Sequence, residues 1–240
     1  MKREELEILK KYLEDHGFMI KAFGLVRSPY SFACSALQQT IKTGRFHSLI
    51  GLGDAYSPYI SKIGKNYLPE RSQQIERLLD IFKDDLKLYS FKQALSHEDG
   101  PVSFLLNQVN PSLSSRLKED FKNSSPSLTN LQARLMNATN RCTSRKLKAK
   151  EKISKKLFRA QMLIVREQTK QAKGEKFLLT EKEFQLVEAQ YEKISRKMVK
   201  LLGTTFVQEN IQFSNPQIDP AYLAKSFAEC ASALMMAKAK

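Results

Sequence analysis

Catalysis needs a nucleophile, an acid–base pair or a metal cluster, and the 240 residues offer few candidates. The three histidines, His16, His47 and His97, are far apart, and none lies four residues from another. No Cys-x-x-Cys occurs, so neither a helical histidine pair nor a thiolate clamp for zinc is encoded. Cys34 falls on an apolar helix face, where cysteine serves as a small core residue. A Cys34–His47 nucleophile pair would have to be made by the fold, since spacing does not carry such pairs. Gly51-Leu52-Gly53-Asp54 lacks the third glycine of a dinucleotide fingerprint and the Gly-Lys-Ser/Thr of a phosphate loop. It reads as a helix stop, with Asp54 starting the next helix. The carboxylate pairs Asp84-Asp85 and Glu98-Asp99 are adjacent residues, which project in different directions on a helix. His97-Glu98-Asp99-Gly100-Pro101 reads as a polar turn. No catalytic, cofactor-binding or metal-binding residue is assigned, and a protein without enzymatic activity is expected. The remaining enzymatic route is a site assembled from distant residues.

The chemistry that the residues do encode is electrostatic. Lys and Arg number 40 against 25 Asp and Glu, a formal charge of +15. Residues 1–140 hold 19 basic and 15 acidic side chains, residues 141–200 hold 18 and 7, and residues 201–240 hold 3 and 3. A whole-chain bias toward lysine does not produce that concentration. Arg145, Lys152, Arg159, Arg166 and Lys173 recur every seven residues, with Arg141, Lys148 and Lys155 in a second row. At about 100° per residue both rows share one sector of a helix, which from 141 to 173 would run roughly 50 Å. Only Glu151 is acidic between Arg141 and Arg159, so like charges repel by a few tenths of a kcal/mol per pair. The stripe is either a solvated outer face, partly neutralised by Glu181, Glu188 and Glu192, or a surface for an acidic protein or a polyanion. A phosphate backbone would be neutralised with steep salt dependence. Base stacking has no support, because Phe158 lies off the stripe and no aromatic interleaves it. A membrane surface fits less well, since 143–156 offers only Leu147, Ala149 and Ile153 as apolar anchors.

Helices must position these side chains. Pro29, Pro58, Pro111, Pro126 and Pro220 each follow Ser, Asn or Asp and precede an apolar-periodic stretch. That is the grammar of an N-cap followed by proline at the first helical position. Helices are expected near 3–15, 29–43, 55–66, 69–84, 86–97, 101–108, 111–122, 126–142, 143–173, 180–202 and 220–238. Phe18 to Val26 and Thr204 to Phe213 are weak strand candidates. Lys122-Asn123-Ser124-Ser125 reads as a linker between a compact helical domain, 1–122, and a second part, 123–240.

Thr180 and Glu183 make a Thr-x-x-Glu capping box. Phe177, Phe184, Val187, Tyr191, Ile194, Met198 and Leu201 then follow a three-and-four seam, and 143–173 offers Ala149, Ile153, Leu157, Ala160 and Ile164. The pattern predicts a coiled-coil-like antiparallel hairpin over 143–202, with its turn near 174–179 and Gly174 as the stop. Such a hairpin could also form oligomers. The expected fold class is therefore all-α: an N-terminal multi-helix domain, the long hairpin and an apolar C-terminal helix. In 220–238, Tyr222, Phe227, Leu234 and Met235 form either part of the protein's own core or a docking tail for a partner, with 203–218 as an irregular stretch that could let it swing away.

Cys34, Cys142 and Cys230 are scattered and odd in number, which favours a reducing compartment. The charged start Lys2-Arg3-Glu4-Glu5 is followed by no signal-peptide core, and no apolar run reaches the roughly 20 residues of a membrane span. A cytoplasmic location is expected. The leading function is a non-enzymatic adaptor or scaffold subunit whose partners offer an acidic surface or a helical groove. The alternative is a nucleic-acid-binding protein contacting the phosphate backbone through 141–173.

Overall fold

The computed structural model describes residues 3–52, 66–110, 127–149 and 174–214. Its elements are α1 (Arg3–Asp15), β1 (Ala22–Val26), α2 (Pro29–Lys42), α3 (Ser72–Phe82), a 3-10 turn (Lys83–Asp85), β2 (Leu86–Ser90), α4 (Phe91–Leu95), α5 (Gly100–Val109), α6 (Asn130–Ala149), α7 (Glu181–Gln185), α8 (Glu188–Leu202) and a second 3-10 turn (Thr204–Phe206). Among the described residues no helix is long and apolar enough to cross a membrane. The chain divides into two compact units. The first draws on 1–32, 70–124 and 191–210, the second on 33–69, 125–190 and 211–240, so the division falls inside α2 and inside α8.

In the first unit β1 and β2 form a parallel two-stranded sheet, with Ala22 opposite Leu86 and Val26 opposite Ser90. This corrects the all-α expectation. β1 lies within the weak strand candidate, but β2 occupies the first half of the helix expected over 86–97. The cause is local: α3 ends at Phe82, and Lys83 adopts φ 46 while its N–H bonds to the Leu79 carbonyl. A lysine in the left-handed region carries no sequence mark. The following turn delivers the alternating Leu86-Lys87-Leu88-Tyr89-Ser90 as a strand. Tyr89 then packs edge-on to Phe104 of α5, ring centroids 5.5 Å apart. The other strand candidate, Thr204 to Phe213, holds a 3-10 turn and irregular chain.

α1 and α2 stop at glycines, whereas Gly51, read from the sequence as a helix stop, lies in irregular chain. Gly17 and Gly44 have φ 83 and 81. Each closes its helix with paired bonds: Phe18 N–H to the Leu13 carbonyl and Gly17 to Glu14, then Arg45 to Thr40 and Gly44 to Ile41. This six-to-one, five-to-two pattern satisfies carbonyls that a helix end leaves open.

The second unit is built on α6. All residues from Asn130 to Asn137 are buried, so the helix is enclosed on every side rather than along a stripe. Leu131 and Leu135 pack together with Leu52 against them, and Ala133, Met136, Leu37, Ile41, Leu49, Ile50, Phe177 and Leu179 are also buried in this unit. Thr129 Oγ1 accepts from the Gln132 N–H at the start of the helix (3.2 Å).

The long antiparallel hairpin is also corrected. α6 runs unbroken through the boundary expected at 142/143, because Asn140-Arg141-Cys142-Thr143 contains no helix breaker. Residues 174–177 are not a hairpin tip. They return to the entry of α6, with an antiparallel bridge between Thr129 and Lys176, Asn130 N–H on the Glu175 carbonyl (2.7 Å) and Phe177 N–H on that of Leu128 (3.1 Å). The expected helix 180–202 is two helices separated at Leu186 and Val187. Its seam is divided accordingly: Phe177, Phe184 and Val187 are buried in the second unit, Ile194 and Met198 in the first. No long antiparallel hairpin occurs among the described residues. On the opposing helix, Ile153, Leu157, Ala160 and Ile164 lie outside the described residues, as does the C-terminal helix over 220–238.

Candidate functional site

Asn130, Arg134, Asn137 and Arg141 are spaced four, three and four along α6, which aligns them on one face, with Asn140 beside them. Asn130, Arg134, Asn137 and Asn140 are buried, and polar side chains are costly to bury unless their polar atoms find partners. Arg134, Asn137 and Asn140 reach backbone groups of residues 41–51, although Asn140 Oδ1 is left buried without a hydrogen-bond partner among the described residues. Asn140 Nδ2 donates to the carbonyls of Ile41 (3.0 Å) and Arg45 (3.1 Å). Asn137 Oδ1 accepts from the His47 N–H (2.9 Å), and its Nδ2 donates to the carbonyls of His47 and Ile50 (both 2.9 Å). Arg134 Nη1 donates to the Gly51 carbonyl (2.8 Å). The Arg141 guanidinium stands over the Phe46 ring, 5.9 Å from its centroid. Residues 41–51 thus gain from side chains the hydrogen bonds that a strand would gain from a neighbour.

Carboxamides do the same work elsewhere in this unit. Gln38 Oε1 accepts from the Leu128 N–H (2.9 Å). Gln190 Oε1 accepts from the N–H groups of Tyr67 and Leu68, and its Nε2 donates to the Leu68 carbonyl.

Arg134 and Glu183 form the centre. Thr180 and Glu183 complete the expected capping box: Glu183 N–H bonds to Thr180 Oγ1 (3.1 Å) and Thr180 N–H to Glu183 Oε2 (2.9 Å). The same carboxylate takes Arg134 Nη1 at 2.6 Å and Nη2 at 2.9 Å, and Oε1 accepts the Gly51 N–H at 2.9 Å. Arg134 Nε donates to Asn130 Oδ1 (2.8 Å) and Nη2 to the Leu178 carbonyl (3.4 Å). A guanidinium has five N–H donors and a carboxylate about four acceptor positions. All are engaged within the fold.

Burial pushes the His47 imidazole below its ordinary 6.5, against smaller raising influences from the Tyr67 backbone and the Glu183 charge. Its Nδ1 is buried without a hydrogen-bond partner among the described residues. Glu183 is already saturated, so the two make no acid–base couple. Cys34 is buried in α2. His97 is held within its own turn: its Nδ1 accepts from the Asp99 N–H (3.3 Å), its Nε2 lies 3.1 Å from the Asn107 amide, and its ring meets Phe104 edge-on. His16 Nδ1 lies 2.7 Å from the Tyr12 carbonyl at the exposed end of α1. Among the described residues no three His, Cys, Asp or Glu side chains form a metal-holding group.

Of the basic stripe, Arg141 is half-buried and Arg145 and Lys148 follow it on the same continuous helix. Lys152, Lys155, Arg159, Arg166 and Lys173 lie outside the described residues, as do Tyr222, Phe227, Leu234 and Met235. Residues 203–218 were the stretch expected to let the terminal helix swing. Its residue Ser214 is anchored instead, with its N–H on the Leu179 carbonyl and its hydroxyl on that of Leu178 (both 3.0 Å).

Sequence reasoning missed the clamp because each Asn or Gln acts across the fold. One sign was available: an arginine four residues after an asparagine and three before another, inside the apolar run Leu131 to Met136. Comparison with protein-family models, with curated proteins and with solved structures finds no match to this chain.

Proposed function

We propose that this chain is a non-enzymatic adaptor or scaffold subunit that holds a basic helix out to an acidic surface of another cytoplasmic protein. The observation that supports this most is the continuity of α6. Its first half is fixed on all sides by the core and by the Arg134, Asn137 and Asn140 clamp. Its second half is the same helix carried on through Arg145 and Lys148 to Ala149. A rigid root orders the start of the charged face before any partner arrives, which lowers the entropy lost on association.

A protein partner is favoured over nucleic acid by α1. None of its residues is buried, and Ile8, Leu9 and Tyr12 are 69%, 46% and 58% exposed, with Phe18 and Met19 following at 62% and 92%. Apolar side chains in water suit a protein surface, whereas a phosphate backbone offers them nothing.

The experiment is affinity capture of the tagged full chain from its native host, with nuclease treatment. A protein recovered at constant stoichiometry after nuclease supports the adaptor role. Recovery of nucleic acid, with all proteins lost on nuclease treatment, would support the phosphate-backbone alternative.

A further inference from the structure

The N-terminus of α2 is capped from far away in the chain. Ser28-Pro29 has the sequence of an N-cap, yet the Ser28 hydroxyl donates to Glu209. The Glu209 carboxylate itself accepts the Tyr30 N–H at 2.8 Å and the Ser31 N–H at 3.1 Å. These are orphan donors of the first helical turn, where a negative charge is also favoured by the helix dipole. The Tyr191 hydroxyl donates to the same carboxylate at 3.5 Å. Burial pushes that phenol above its ordinary 10, and the Glu209 charge and hydrogen bond push it the same way. It therefore stays protonated and able to donate.

Glu209 sits on a segment, 203–210, of which only Phe206, Val207 and Glu209 are half-buried and the rest exposed. Not one of its residues is buried. Gly203 ends α8 at φ 91. The backbone bonds of Val207 and Gln208 both close locally on the Thr204 carbonyl. Among the described residues, the long-range hydrogen bonds of this segment all converge on the Glu209 carboxylate.

We propose that residues 203–210 are a strap latched by Glu209, which opens as a local unit about Gly203 and uncovers the N-terminus of α2 while the rest of the fold stays intact. The carboxylate holds the strap to the Tyr30 and Ser31 amides, so its loss releases the strap and frees those amides while the buried Pro29 and Tyr30 side chains keep the first turn of α2 in place. Local openings of this kind occur well below the free energy of global unfolding where buried contacts are few. The proposal goes beyond the adaptor role and depends on no partner.

Amide hydrogen exchange on the isolated full chain tests it. In the wild type, Tyr30 and Ser31 exchange faster than the interior of α2 from Leu37 to Ile41, and their rates are insensitive to low urea. Glu209→Gln removes the charge and raises exchange at Tyr30 and Ser31 by about tenfold or more, with the α2 interior and β1 unchanged. Tyr191→Phe removes one donor and gives a smaller rise at the same amides. The proposal fails if Tyr30 and Ser31 exchange only together with the α2 interior and with the same urea dependence. It fails equally if Glu209→Gln leaves their rates within about twofold. Should Glu209→Gln not fold, the wild-type urea series decides alone.

Discussion

Arg134 and Glu183, 49 residues apart in the chain, meet as a two-pronged ion pair with side chains 0% and 2% exposed. Glu183 is also the capping residue of α7, and Arg134 also holds the Gly51 carbonyl. One pair therefore joins α6, α7 and the chain after α2. Its strength lies in completeness, since a buried ion pair repays desolvation only when every remaining donor and acceptor is met.

Removing one partner leaves the other charged and buried. Glu183→Met and Arg134→Met are each expected to cost about 3–5 kcal/mol of unfolding free energy. The double variant Arg134→Met/Glu183→Met should lose much less than the sum, because no lone charge remains. Urea denaturation of the four proteins measures this. Additive losses would show that the two side chains act independently.

Asn137 satisfies one N–H and two carbonyls, and Asn140 two carbonyls. Asn137→Ala and Asn140→Ala should each destabilise by about 1–3 kcal/mol, the cost of leaving buried backbone groups unmet. Asn137→Asp should be worse than Asn137→Ala, because its carboxylate would face the His47 and Ile50 carbonyls in place of a donor. Thermal unfolding ranks the three. An Asn137→Asp protein as stable as wild type would mean that the amide donors contribute nothing.

His47 gives the second unit a pH dependence of definite sign. Burial holds its imidazole below the ordinary 6.5. As pH falls beneath about 6.5, the unfolded chain binds a proton that the native chain does not. Its contribution is therefore intact above that value and lost as pH falls through the folded-state pKa. The urea midpoint of wild type should drop more between pH 7.5 and pH 5.5 (chosen to bracket the ordinary value of about 6.5) than that of His47→Gln. Equal drops in both proteins would assign the dependence to other groups.

The elements that end on side-chain or glycine signals were legible in the sequence. α1, α2 and α5 fall within one or two residues of their expected bounds, and the Thr180–Glu183 capping box is present in full. What was not legible depends on contacts distant in sequence. β2 is a strand because Lys83 turns the chain and β1 is there to pair with it. The seam over 177–201 looked continuous because periodicity records burial but not against what, and here it serves two units in turn. Ser28 looked like a cap, but a carboxylate 178–181 residues away caps the helix. The stripe was legible as spacing; its root, an arginine and two asparagines holding a loop, was not.

We propose that the basic residues over 141–173 are a partner surface and not part of the fold. The most direct test replaces Lys148, Lys152, Lys155 and Arg159 with Gln together and measures the stoichiometry of captured protein from the native host, alongside the urea midpoint. The expected result is a midpoint at or above that of wild type, since like-charge repulsion is relieved, with the partner protein lost. A variant that retains its full complement of captured protein, or that unfolds, would contradict the claim.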